Sequence, residues 1–261
     1  MVKYKEMKLN NTPFLAIEEE KKTVEVRLLD EKRRELSVGD VIVFTHRDDG
    51  ERKLYREIKA LHTAADFGEL FSSDIFPLCG FGDMTPAEAV VEMGKYYSAE
   101  QTLEYGAVGI ELAPVVNIRS KGEYPANMLS NFYPHPFTLD GLYFGSMEGF
   151  LQSLKFRFSF FAKRVARLSG KAAKEKGAKR SGWKKRQTLY YCGKKLLRES
   201  EEYSLLIKRA YGAMYEQNPD FAKALAASKP YRLIHSIGSS DPKNTVLTED
   251  ELIDRLEDLR K

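Results

Sequence analysis

Glu148, Gln152 and Lys155 stand four and three residues apart inside a largely apolar stretch, LSNFYPHPFTLDGLYFGSMEGFLQSLKF, from Leu129 to Phe156. On a helix that spacing puts all three on one strip. A carboxylate there can move a proton, activate water or stabilise a developing cation. A lysine whose pKa is lowered by burial can attack a sugar aldehyde and form a Schiff base. An amide offers both a donor and an acceptor. The plainer alternative is a solvated strip with a weak Glu–Lys attraction. Against it, Leu151, Leu154 and Phe158 fall on one stripe that Met147, Phe150 and Phe161 widen. A helix this apolar is buried, and buried polar groups need partners. Glu148 and Lys155 lie ~10 Å apart along such a helix, and long side chains leaning together can close on one small ligand.

Several elements must hold this strip in place. Ser146 is a fitting N-cap, with Glu148 in the first turn where negative charge suits the helix dipole. The loop Ser130-Asn131-Phe132-Tyr133-Pro134 precedes it, followed by the aromatic run Leu142-Tyr143-Phe144. Asn131 and Gln152 are expected to hold polar edges of a ligand, and Phe132, Tyr133 and Phe144 to wall the pocket. Trp183, the only Trp, stacks on a base or packs in the core. Near the C-terminus, Leu233-Ile-His235-Ser236-Ile-Gly238-Ser-Ser240-Asp241-Pro242 offers short donors and backbone N–H groups. Ser236 and Asp241 there suit a phosphate or ribose, or else form a capping turn before Pro242. His235 reads as a core histidine bonded to backbone.

At 261 residues, 43% hydrophobic and 31% charged, the chain has the composition of a soluble globular protein with one large or two ordinary domains. No run approaches the ~18 apolar residues of a membrane span. The N-terminus lacks the apolar core of a secretory signal, so a cytoplasmic protein is expected. Cys79 and Cys192 have no metal-ligand spacing and read as reduced thiols; neither a metal nor a cofactor is expected. The net charge of +4 conceals an asymmetry. Lys155 to Arg198 carries sixteen Lys/Arg against one acid, Glu175, leaving the remainder at −11. One-sign blocks of this kind meet polyanions, here a phosphate-bearing ligand, DNA or RNA.

Leu129-Ser-Asn-Phe-Tyr-Pro134, then Phe144-x-Ser146-x-Glu148-x₃-Gln152-x₂-Lys155-Phe156, resembles the signature of the NADAR family. Gly170-x-x-Ala173-Lys174, Gly177 and Trp183 extend the likeness from about Tyr124 to the C-terminus. The resemblance implies an N-glycosidase of ADP-ribosylated or riboflavin-precursor N-glycosides, with Glu148 as acid/base or charge stabiliser and Lys155 as nucleophile or electrostatic partner. Many members carry His directly after the Glu; this chain has Gly149. Any role of that His does not transfer.

The first half alternates β-type runs with charged turns. Strands are expected at Phe14–Ile17, Thr23–Arg27, in the run ending at Phe44, at Glu57–Leu61 and at Ala107–Leu112. Short helices are expected at Phe67–Phe71 and Thr85–Tyr97. A small, partly closed barrel follows. Lys22-Thr-Val-Glu25-Val-Arg27, followed by Val38-Gly39-Asp40-x-Ile42-x-Phe44, resembles the ASCH domain, a relative of the PUA barrel, over about residues 6–115. The resemblance implies nucleic-acid or nucleotide recognition through Lys22, Glu25 and Arg27. A strand puts Glu25 and Arg27 on one face; the alternative is a surface pair of little energy. Glu20 and Lys21 depart from the family pattern.

The expected fold class is α+β: an ASCH-like, PUA-like barrel over 1–116, a linker at 117–126, and a mainly helical NADAR-like domain over 127–261. Helices are expected at about 160–168, 171–176, 183–198, 202–217, 219–226 and 249–260, with strand signal at 137–144 and 231–237. The expected activity is cleavage of the ribose–base bond of ADP-ribosylated guanine in nucleic acid. The alternatives are riboflavin-pathway N-glycosides, or a non-catalytic ADP-ribose- or RNA-binding adaptor. The sequence leaves oligomeric state open.

Overall fold

A computed structural model describes residues 3–261. The chain is mixed α+β, and its contacts divide it between Val115 and Val116 into two units.

The first unit runs β1 (Tyr4–Leu9), α1 (Asn11–Glu18), β2 (Val24–Leu28), α2 (Glu31–Arg34), β3 (Val41–His46), β4 (Lys53–Ala64), α3 (Phe67–Phe71), α4 (Pro86–Met93), α5 (Ala99–Tyr105) and β5 (Ala107–Asn117). Its strands lie in the order β1-β3-β4-β5-β2; β1 and β3 pair parallel, and the β3–β4, β4–β5 and β5–β2 pairs are antiparallel. The register of β4 on β5 shifts between Ile58 and Ala60, an irregularity that adds twist to the curled half-barrel. Period-two alternation sends Val24, Val26 and Leu28 into one apolar cluster with Phe67, Leu70 and Phe71. Ile42, Phe44, Ile110 and Leu112 enter another, with Phe14 and Ile17. The helix expected from Thr85 does start there, with Thr85 and Glu88 in a capping box, and ends at Met93.

One expectation fails here. Phe14–Ile17 is not a strand but part of α1. A short apolar run has no diagnostic period. Phe14 and Ile17 are three apart, both buried, and so share one helical face.

The second unit runs β6 (Phe137–Leu139), β7 (Leu142–Phe144), α6 (Met147–Ser153), α7 (Ser159–Ala166), α8 (Gly170–Ala178), α9 (Gly182–Arg186), β8 (Thr188–Tyr191), β9 (Lys194–Leu197), α10 (Glu201–Gln217), α11 (Pro219–Ala227), β10 (Arg232–Ile234) and α12 (Glu249–Arg260). Its core joins Phe137, Phe144 and Phe150 to Tyr203, Ile207, Tyr211 and Phe221, and to Leu233 and Leu256. Residues 117 onward pack into this unit: Ile118 is buried and its N–H donates to the Ile234 carbonyl at 2.8 Å. Thr248 caps α12 with Glu251 in a capping box.

Two further expectations are corrected. The helix expected over 183–198 stops at Arg186 and gives way to the β8–β9 hairpin. Thr188, Leu189, Tyr190 and Tyr191 suit strand, and Cys192-Gly193 turn the chain with φ 49° and 79°, the positive pair a two-residue hairpin needs. The signature helix also ends early, at Ser153. Its C-terminal carbonyl at Leu154 accepts the Tyr190 N–H of β8 at 2.7 Å, so the hairpin takes a group that another helical turn needs. Phe158 and Phe161, expected on the buried stripe, are consequently exposed.

Candidate functional site

Ser146 starts α6 as expected: its hydroxyl accepts the Gly149 N–H at 3.0 Å and donates to the Leu168 carbonyl at 3.3 Å. The Glu148 N–H donates to the Asn131 carbonyl at 2.8 Å, tying the helix to the loop before it. The fully buried Tyr211 donates its hydroxyl to Asn131 Oδ1 at 2.6 Å. This bond fixes the loop from the side of α10.

Two close approaches complete the frame. A Cβ on Gly149 would stand 2.3 Å from the Leu168 carbonyl oxygen and 2.6 Å from that of Ala166. No side chain fits at 149 unless that backbone moves. A Cβ on Gly177 would stand 1.7 Å from Gln152 Oε1. Glycine there lets α8 lie directly on α6 and brings Lys174 over the site.

These elements surround a cavity of about 410 Å³. Asn131, Phe132, Glu148, Gln152 and Lys155 all line it, together with Lys174 and His235. Glu148 is 4% exposed. Gln152 Nε2 donates to its Oε1 at 2.8 Å, and Lys174 Nζ is 3.6 Å from the same oxygen. Burial pushes the Glu148 carboxyl above its ordinary value, against the opposing pull of Lys174, Gln152 and Lys155. Burial, helped by Lys174 and Lys184, pushes Lys155 down to about 8, against the attraction of Glu148. Gln152 Oε1 is buried without a hydrogen-bond partner. A carboxylate raised and a lysine lowered in one cavity are matched to proton transfer and nucleophilic attack near neutral pH.

Five residues expected at the site stand elsewhere. Phe144 is in the core, and Tyr133 packs on the His135 ring. Trp183 is in the core and touches the site only through Lys155, whose Nζ lies 5.8 Å from its ring centre. Ser236 is held by Asn117, accepting from Nδ2 at 2.8 Å and donating its N–H to Oδ1 at 3.2 Å. Asp241 caps its own turn, accepting from Lys243 N at 2.9 Å and from Asn244 Nδ2. The loop they belong to does reach the cavity, through Gly238, Ser239, Asn244 and Thr245. His235 lines the wall, but its Nδ1–H donates to the Ile118 carbonyl at 2.6 Å, and burial lowers its pKa. Lys174 is the residue that spacing on α6 does not reveal. Its sequence signal is its place in the Gly170-x-x-Ala173-Lys174 motif, three residues before Gly177.

The first unit has its own cavity, of about 400 Å³, lined by Lys22, Glu25 and Arg27 with Phe81, Tyr96 and Tyr97. Arg27 Nη2 is 2.9 Å from Glu25 Oε1, Lys22 Nζ is 3.5 Å from Oε2, and Lys22 donates to the Cys79 carbonyl at 2.5 Å. The three expected recognition residues therefore form one buried cluster. Among the described residues no group of His, Cys, Asp and Glu is arranged to hold a metal ion, and no helix is long and apolar enough to cross a membrane.

An α+β chain with a curled five-stranded unit and a helical unit built around a buried Glu–Lys cavity is the class that fold and site define. Residues 7–116 match the ASCH domain, and residues 123–261 match the family described as Bacteriophage protein GP30.3. The chain belongs to the bacteriophage GP30.3 family. It is 41% identical over 146 residues to an uncharacterised 17.1 kDa protein of the Gp30–rIII intergenic region of Enterobacteria phage T4, covering 56% of this chain and 96% of that one. Among solved structures, it is similar to the hypothetical protein PH0355 at 31% identity, covering 44% of this chain and 100% of that one, with a TM-score of 0.39. It is also similar to the E. coli protein YbiA at 18% identity, covering 56% and 82%, with a TM-score of 0.39.

Proposed function

We propose that the second unit is an N-glycosidase that cleaves the ribose–base bond of ADP-ribosylated guanine in nucleic acid, with the first unit recognising nucleotide or nucleic acid. The observation that carries this is the opposed perturbation of Glu148 and Lys155 in one cavity, where the signature residues Asn131, Phe132 and Gln152 also stand. Cleavage breaks the bond between C1′ and the base nitrogen, and positive charge develops on the ribose. Glu148 stabilises that charge and takes the proton of the water whose oxygen bonds to C1′; the departing nitrogen gains a proton. Lys155 acts either as a cation beside the ligand's phosphates or as an amine nucleophile. Lys174, Ser239, Asn244 and Thr245 supply a cation and short polar groups suited to a diphosphate.

The test is release of free ADP-ribose from an oligonucleotide bearing ADP-ribosylated guanine, with Glu148→Gln beside wild type. Loss of a positioned acid/base lowers turnover roughly 10²- to 10⁴-fold. Equal rates for the two proteins would remove Glu148 from the chemistry. Release only from riboflavin-pathway N-glycosides would replace the substrate.

A further inference from the structure

A second opening in the helical unit, of about 490 Å³, lies between the β6–β7 hairpin, α7 and the β8–β9 turn. Its walls combine two kinds of side chain. Tyr143, Phe156 and Tyr190 provide aromatic faces, and Tyr143 is 52% exposed. Arg157, Lys163 and Arg167 are exposed cations that form no ion pair among the described residues, and no Asp or Glu lines the opening. The neighbouring carboxylate Asp140 is already engaged by Tyr191 and Arg209. These cations belong to the basic stretch of the sequence, fourteen of whose sixteen Lys/Arg are exposed. Phe158 and Phe160 extend the apolar surface at the start of α7.

We infer that this groove seats a single-stranded segment of nucleic acid, its bases stacked on Tyr143 and the neighbouring rings and its phosphates on Arg157, Lys163 and Arg167. The surplus of unpaired cations selects a polyanion. The exposed rings select unstacked bases, which a single strand presents and a duplex keeps inside its stack. The groove is continuous in the chain with the cavity described above: Ser153 and Phe156 line one, Gln152 and Lys155 the other. This deepens the proposed function by giving its polymer a seat, and rests on that reading only for the modified base. Binding of an unmodified strand reads the groove without turnover, whereas release from a mononucleoside conjugate reads the active site without a polymer. Each can fail alone.

The experiment uses the full chain and labelled, unmodified single-stranded DNA and RNA of about 12 nucleotides, within the usual span of such sites. Tyr143→Ala is expected to weaken binding roughly 5- to 100-fold, the range for one lost base stack. Lys163→Ala is expected to weaken it and to lower the slope of log affinity against log salt by about 0.7. Cys192 lines the groove and is exposed, while Cys79 is buried. Alkylation of Cys192 by a maleimide should therefore slow when the strand is bound. Wild-type affinity in both variants, with circular dichroism unchanged, overturns the inference, as does unchanged Cys192 labelling at saturating strand. A duplex of equal length bound as tightly overturns the stacking seat. So does a dimer that Tyr143→Ala disperses, or binding to anionic vesicles without binding to the strand.

Discussion

The two cavities use the same residue types to opposite effect. In the first unit, Glu25 meets two cations, with Arg27 at 2.9 Å and Lys22 at 3.5 Å, so its charge is compensated. In the second, Glu148 is equally buried, but the nearest cation lies 3.6 Å away on the largely exposed Lys174, and Lys155 is itself partly desolvated. A closely paired carboxylate holds its partners in place. An under-compensated one keeps its proton to a higher pH and is available to move it. Composition is shared by the two sites; the degree of charge compensation separates them, and under the proposed function it divides recognition from chemistry.

Lys155 is where the comparison is broken most severely. Lys155→Arg keeps the positive charge and removes the nucleophile. As a nucleophile, Lys155 must be neutral, so turnover should climb as pH rises through about 8 and then level off. Lys155→Arg should then lose at least 10²-fold, and borohydride should trap wild type alone. As an electrostatic partner it must be charged: turnover should fall above about 8, and arginine should rescue it.

Glu25→Gln tests the compensated site. It leaves Lys22 and Arg27 without their carboxylate, and removing one member of a buried pair costs about 3 kcal/mol. Denaturant unfolding followed on the first unit's transition measures it. A loss below ~1 kcal/mol would class the cluster with ordinary surface pairs.

Gly177→Ala forces α8 away from Gln152, a cost of about 1–3 kcal/mol in thermal or denaturant unfolding. Because Lys174 moves with the helix, the Glu148 carboxyl loses its first opposing cation. Its pKa should rise further and carry the acid limb of the rate profile with it.

The smallest effect is Trp183→Leu. The ring favours charged Lys155, by about 0.5–1 kcal/mol for a contact of this kind, so its loss should move the Lys155 midpoint down by roughly half a pH unit. An upward movement would show that the ring acts mainly by excluding water.

The period-two alternation of Val24, Glu25, Val26 and Arg27, the helix start at Thr85 and the start of α6 at Ser146 were all legible, because each is set by neighbours in the chain. So was the common strip of Glu148, Gln152 and Lys155, although α6 ends before Lys155. What local pattern missed was decided at a distance. The hairpin at 188–197 takes the carbonyl that ends α6; α1 forms where an apolar run suggested strand. Ser236 and Asp241 turn inward to satisfy backbone and Asn117. The sequence by itself determined the α+β class, the positions of the polar residues and the basic block. Only the tertiary structure decided that Lys174 faces Glu148 and that Glu25 is paired with two cations while Glu148 is under-compensated. Desolvation and ion pairing depend on which elements pack together, and no spacing along one strand or helix carries that information.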